Sequence, residues 1–300
     1  MRLLLIDGHY YVYRSFHAIP KLNNSRGEPT NAIYGFVKTI RKMLKDLAPS
    51  LAAVFWDEGL PEKRVRLQPS YKQQREAIPE AMIPQLDFIR DFCGAMGIRS
   101  IAEPDTEADD LMGCYAIAAN QKCLKTILAT NDKDLFQLVG EKVSIYSTNK
   151  ADLKKPKDPH ALLSVDEVTK KWGVAPPGIG EVLALTGDSV DNIPGIDGIG
   201  LKTAAGLIRE FGTIGNLLAN LERVPNVKLR EKLEAAKPQI EQNREMVRLE
   251  LDHELPVPIE ELEIRPDYPR YIEGLEKCEF RSVLDEVREE ARVAEQGQLF

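Results

Sequence analysis

Apolar residues in the first two thirds of the chain fall in short runs separated by stretches of helical period. The runs at 2–6, 51–56, 98–101, 125–129 and 143–146 predict strands. Spacing near 3.6 predicts helices over 32–47, 83–96, 107–120 and 133–138. Alternation of this kind predicts an α/β fold with a central, mostly parallel sheet. Residues 60–79 break the pattern, being basic, bounded by proline and without apolar period. Excursions longer than an ordinary connection are often functional. From about Ser164 strand signals fade, helices dominate, and Pro and Gly cluster at 175–180 and 192–200. The expected organisation is a first domain over 1–174, a helical domain over 175–290 and a mobile polar tail over 291–300.

Acidic residues change this picture. Three predicted strands run into a carboxylate: Leu3-Leu4-Leu5-Ile6-Asp7, Ala52-Ala53-Val54-Phe55-Trp56-Asp57 and Thr126-Ile127-Leu128-Ala129-Thr130-Asn131-Asp132. Ligand sites of open parallel sheets form outside these carboxyl ends. Asp134 adds a second acid beside the third strand, and Thr106-Glu107-Ala108-Asp109-Asp110 opens a helix. By itself that opening reads as a capping box of Thr106 with Asp109. Asp188 and Asp191 are expected on one helix face, where solvation alone would account for them. Together, however, like charges on one edge repel unless a cation intervenes. A donor set of carboxylates suits Mg²⁺ or Mn²⁺ rather than zinc. Two such ions, ~3.5–4 Å apart, support in-line displacement at phosphorus. No G-x-x-x-x-G-K-[ST] loop occurs, so hydrolysis is favoured over nucleotide-driven transfer.

Composition is that of an ordinary globular chain of 300 residues, 43% hydrophobic and 29% charged. No apolar run approaches the ~20 residues of a membrane helix. Asp7 cuts short any signal-like segment, so the expected location is the cytoplasm. Neither the four cysteines nor the four histidines show zinc-ligand spacing. A net charge of −7 excludes blanket attraction to nucleic acid and demands local basic patches. One patch is Lys63, Arg64, Arg66, Lys72 and Arg75, with no acid between Lys63 and Arg75, and with Tyr71 among them. The other is Gly195-Ile196-Asp197-Gly198-Ile199-Gly200-Leu201-Lys202-Thr203-Ala204, glycines that would expose N–H groups at a helix start. There Ile199 and Leu201 are expected to anchor the turn in the core.

In order and number these motifs resemble the 5′-nucleases, most closely the N-terminal 5′-nuclease domain of bacterial DNA polymerase I. The resemblance runs from about Leu3 to about Arg288. It includes Asp7-Gly8, Tyr13-Arg14-Ser15-Phe16-His17-Ala18, Tyr34-Gly35-Phe36, Tyr71-Lys72-Gln73-Gln74-Arg75, Glu107-Ala108-Asp109-Asp110, Asp132-Lys133-Asp134-Leu135 and Gly187-Asp188-Ser189-Val190-Asp191-Asn192-Ile193-Pro194-Gly195. It implies a PIN-like core with a helical arch near 60–82, then a helix–three-turn–helix module near 186–212. By that resemblance Asp7, Asp57, Glu107 and Asp109 surround one metal. Asp110, Asp132, Asp134, Asp188 and Asp191 surround the other or order its waters. Lys72 and Arg75 contact the scissile phosphate, with Arg64 and Tyr71 nearby. Gly198, Gly200 and Lys202 hold the duplex, with K⁺ as a further ligand. The activities implied are 5′→3′ exonuclease and flap endonuclease on branched or 5′-ended DNA, with RNA primer–DNA hybrids as a further substrate.

Two departures stand out: the chain stops at Phe300, which reads as a free-standing version, and Trp56 and Glu58 flank Asp57. The ending Gln296-Gly297-Gln298-Leu299-Phe300 resembles the short motif that docks bacterial replication proteins on the sliding clamp, with Gln296, Leu299 and Phe300 as its anchors. Two other readings compete. A PIN-like ribonuclease leaves the arch and duplex module unexplained, and a non-catalytic clamp-associated DNA-binding protein would be expected to have lost several acids.

Overall fold

The computed structural model describes residues 1–155 and 157–297. Its strands are β1 (Arg2–Asp7), β2 (Leu51–Phe55), β3 (Arg99–Ile101), β4 (Lys125–Ala129), β5 (Val143–Ser147) and β6 (Ala161–Leu163). Its helices are α1 (Gly8–Ala18), α2 (Asn31–Leu47), α3 (Glu62–Leu67), α4 (Ile83–Ala95), α5 (Ala108–Gln121), α6 (Val165–Trp172), α7 (Ile179–Thr186), α8 (Leu201–Phe211), α9 (Ile214–Ala219), α10 (Val227–Ala235), α11 (Lys237–Met246), α12 (Tyr268–Lys277) and α13 (Arg281–Gly297). Among the described residues no helix is long and apolar enough to cross a membrane. The chain forms two compact units: Met1–Asp57 with Ala77–Glu103 and the described residues from Leu255 onward, and Glu58–Glu76 with Pro104–Glu254. Each unit is built from separate stretches of the chain.

In the first unit β2 pairs in parallel with β1, from Leu3 opposite Leu51 to Asp7 opposite Phe55, and with β3, from Ala53 opposite Arg99. Residues 3–6 and all of β2 are buried, as parallel strands covered by helices must be. Helix α1, absent from the sequence expectations, starts with no intervening loop: Asp7 ends β1 and caps α1, accepting from Tyr10 N at 2.9 Å. Gly8 lets this junction close, because a Cβ there would lie 2.5 Å from the Trp56 ring and 2.8 Å from the Phe55 carbonyl. Along α2, Ile33, Phe36, Val37, Ile40, Met43 and Leu47 form its buried stripe. Arg41 ties α2 to α13 through Glu286 at 2.9 Å and Glu290 at 2.8 Å. Helix α13 continues to Gly297, so residues 291–297 are helical rather than the expected tail. Good helix formers and buried Val287 and Ala291 carry it onward. Gln298, Leu299 and Phe300 lie outside the described residues.

In the second unit β4 and β5 are parallel, Thr126 opposite Val143 to Ala129 opposite Tyr146. Strand β6 runs antiparallel to β5 and was not expected, its three residues being too short to show a period. Residues 134–138, expected as an ordinary helix, form a single tight 3-10 element. Helix α7 packs on α8 and α11, and residues 187–200 turn between α7 and α8. Asp188 and Ile193 close the turn by reciprocal backbone bonds of 2.9 and 2.8 Å. Backbone packs on backbone there: a Cβ on Gly195 would sit 2.1 Å from the Thr186 carbonyl.

Candidate metal centre

Three segments of the second unit bring acids together. Glu107 is the residue before α5, and Asp109 and Asp110 lie in its first turn. Asp132 and Asp134 follow β4, and Asp188 and Asp191 sit in the 187–200 turn. Glu107, Asp110, Asp188 and Asp191 are all at most 9% exposed. Buried carboxylates need partners, and the residues of the 60–79 excursion supply them. Arg64 pairs with Glu107 and, at 3.0 Å, with both Asp110 oxygens. The Tyr71 hydroxyl is within donating distance of Glu107 Oε1 (3.0 Å), Glu107 Oε2 (3.1 Å) and Asp191 Oδ2 (3.3 Å). Lys72 pairs with Glu107 and lies 4.0 Å from Asp191. Arg75 reaches Asp191 Oδ1 at 2.8 Å. Lys133, not singled out by the sequence reading although it stands between two candidate acids, donates to Asp188 at 2.7 Å.

Several expectations are corrected by this geometry. Asp188 and Asp191 share a buried turn, not a solvated helix face, because the glycine-bounded backbone folds back at Ile193. Thr106 and Asp109 form no capping box: Glu107 is the N-cap without a side-chain cap, and Thr106 Oγ1 donates to the Pro104 carbonyl at 3.1 Å. Arg64 and Tyr71, expected beside the DNA, are 4% and 3% exposed, and their polar ends are held by the acids. Leu201, expected as a core anchor, is exposed, while Ile199 is buried.

Electrostatics mark the same place. Burial, followed by the charge of Asp191, raises the Asp132 carboxyl above its ordinary range. Asp134 is raised well above its range by burial, then by Asp132 and Asp191. The Tyr71 phenol is pushed up by burial and then by Asp191, which keeps it a donor. Both aspartates are half-buried as residues, yet Asp134 Oδ1 is fully covered and has no hydrogen-bond partner. An orphaned carboxylate oxygen, on an acid raised by burial and by the charges of Asp132 and Asp191, fits a divalent cation bound by oxygen.

A stability prediction follows. An acid whose folded pKa lies above its unfolded value contributes stability that is present below the unfolded pKa, about 4, and lost as pH rises through the folded pKa. In chelator, Asp134→Asn is therefore expected to raise the thermal midpoint at pH 8 and to change it little near pH 4. Calorimetry showing the same or a lower midpoint at pH 8 would contradict the raised pKa.

In the first unit, Asp7 ends β1, and Asp57 lies two residues beyond the end of its partner β2. The Asp57 N–H donates to His9 Nδ1 at 3.2 Å, and the same nitrogen lies 3.7 Å from Asp57 Oδ2. Trp56 beside it is buried, with Nε1 donating to Ser100 Oγ at 2.8 Å. In the second unit Gly198 has φ 76°, and Gly200 precedes α8 as its N-cap. Lys202 in the first turn of α8 is exposed, and Lys232, missed in the sequence, donates to Asp197 O at 3.0 Å. Glu250 and His253, also missed, bring ligand atoms within 4.8 Å of those of Asp110.

Comparison with known proteins identifies the family. Residues 2–173 match the 5′-3′ exonuclease N-terminal resolvase-like domain, and residues 174–270 match the 5′-3′ exonuclease C-terminal SAM fold. A 5′-3′ exonuclease of Aquifex aeolicus is 36% identical over 299 residues, covering 99% of each chain. A thermostable DNA polymerase I of Thermus filiformis is 38% identical over 286 residues, which cover 95% of this chain and 33% of the polymerase. The chain thus spans a third of that relative's length. A flap endonuclease of bacteriophage T5, solved as a pseudo-enzyme–product complex with DNA and metal ions, shares the fold with a TM-score of 0.68 at 22% identity, covering 97% of each chain. With a mostly parallel α/β domain, a helical second part and both family domains matched in order, the chain belongs to the 5′-3′ exonuclease family.

Proposed function

We propose that this 5′-nuclease cuts DNA at branched or 5′-ended duplexes with Glu107, Asp109, Asp110, Asp132, Asp134, Asp188 and Asp191 as holders of divalent ions, and that Asp7 and Asp57 serve the same end. The observation that carries the reading is the orphaned oxygen of Asp134, buried beside Asp132 and Asp191, whose charges raise its carboxyl. Mg²⁺ or Mn²⁺, as two bound ions, would supply a hydroxide and stabilise the leaving oxygen. Lys72 and Arg75 supply positive charge to the phosphate under attack, their heads already directed at Glu107 and Asp191. Tyr71 and Arg64 hold Glu107 and Asp110 in place. Gly198, Gly200 and Lys202 present N–H groups and a cation to the duplex backbone, a seat that K⁺ could share.

Cleavage of a labelled double-flap substrate tests this. Loss of the 5′-flap strand with Mg²⁺, and none with excess chelator, is expected; cutting that survives chelation would sink the proposal. The substrate range extends to RNA primer–DNA hybrids, and the proposed location is the cytoplasm. Gln296, Leu299 and Phe300 are proposed as anchors that dock on a bacterial sliding clamp. Truncation after Glu295 should then abolish clamp binding while leaving cleavage of short substrates intact; equal clamp binding by both forms rules it out.

A further inference from the structure

Besides its charged contacts, the segment carrying Lys72 and Arg75 is held to the 187–200 turn by neutral amides that the reading above does not use. Gln68 Nε2 donates to the Asn192 carbonyl at 2.5 Å, and Asn192 Nδ2 donates back to the Ser70 carbonyl at 2.7 Å. Gln74 Nε2 donates to the Ser189 and Val190 carbonyls, each at 3.0 Å. The Lys72 backbone N–H donates to the Asp191 carbonyl at 3.2 Å. Lys72 and Asn192 each adopt a left-handed backbone, φ 55° and 60°. Asn tolerates that conformation well; Lys does not, so contacts on both sides must hold Lys72 there.

Amides and charges alternate along both segments: Gln68, Lys72, Gln74, Arg75 on one, Asp191 and Asn192 on the other. The amides carry no net charge, and their N–H donors are already engaged by main-chain carbonyls. What they set is position. The same turn leads directly to Gly198, Gly200 and Lys202 at the start of α8. One short piece of backbone therefore joins the duplex seat to the cations over the acids.

We propose that Gln68, Gln74 and Asn192 are positioning residues, a neutral clasp that fixes the register between the duplex-holding turn and the phosphate-contacting cations, and so determines which phosphodiester is cut. The inference rests on the roles proposed for Lys72 and Arg75. Preorganised cations stabilise a developing charge only while they stay aligned with it. A loosened clasp lets the cations engage neighbouring phosphates.

Gln74→Leu keeps side-chain bulk and removes both donors. Asn192→Gly keeps the left-handed backbone and removes the bond to Ser70. On a double flap labelled on the cleaved strand, the doubly substituted protein is expected to spread its products over adjacent positions. Its single-turnover rate should fall about tenfold or more, with substrate affinity little changed. Placed in a Lys72→Ala/Arg75→Ala background, Gln74→Leu should cause no further loss, since the groups it positions are gone. A native product pattern and rate from Gln74→Leu/Asn192→Gly overturns the clasp alone, as does an undiminished loss in the cation-free background. Native behaviour of Lys72→Ala/Arg75→Ala instead removes the reading on which the clasp depends.

Discussion

Asp191→Ala is expected to abolish cleavage while flap binding survives. Asp191 meets Tyr71, Lys72 and Arg75, and its charge helps raise both Asp132 and Asp134, so it sits where the acids converge. Several kcal/mol of charge stabilisation by a bound ion correspond to a loss of about 10³-fold or more. Removing Asp191 also frees Arg75 and Lys72 from a partner, which favours rather than weakens contact with a polyanion. Asp132→Ala separates the two effects, because no cationic side chain is hydrogen-bonded to Asp132 among the described contacts, and it should be equally inactive. Single-turnover cleavage beside flap binding measured in Ca²⁺ gives the comparison. Turnover within a few-fold of native in either variant, with Mg²⁺ present, would show that these acids hold no catalytic ion.

Lys72→Ala should slow the chemical step by about 10²–10³-fold, the usual cost of removing one preorganised donor from a developing anion. Its ammonium is buried with Glu107, on a segment that also directs Arg75 at Asp191. A purely structural ion pair predicts a different result: Glu107 would be left buried with Arg64 and Tyr71, stability would fall, and the rate at saturating metal would be kept. Thermal unfolding and single-turnover rates measured together distinguish the two. A large fall in midpoint with an unchanged rate assigns Lys72 to folding alone.

Much of this protein was legible in the linear chain because burial on both faces writes itself as continuous apolar runs. Strands 1, 2, 4 and 5 and helices 2, 4 and 5 fall where spacing puts them, within a residue or two. The acids at strand ends were likewise visible: one such acid is common because strand ends meet solvent, but three call for a cation to offset their like charges. Short elements escaped: β6 has three residues, and α1 begins where β1 ends without a loop to announce it. Periodicity needs length.

What the tertiary structure decided is which charges face which. Arg64 and Tyr71 looked like surface groups waiting for DNA, yet folding buries them against Glu107 and Asp110, because carboxylates taken out of water must be met by donors. Asp188 and Asp191 looked like one solvated helix face, yet the backbone reverses between them and Ile193. A one-dimensional pattern records how often a residue type recurs, and so determines the elements and the kinds of chemistry available. Pairings between residues 64–75, 107–110, 132–134 and 188–192 depend on how loops close in space, and no spacing along the chain encodes that.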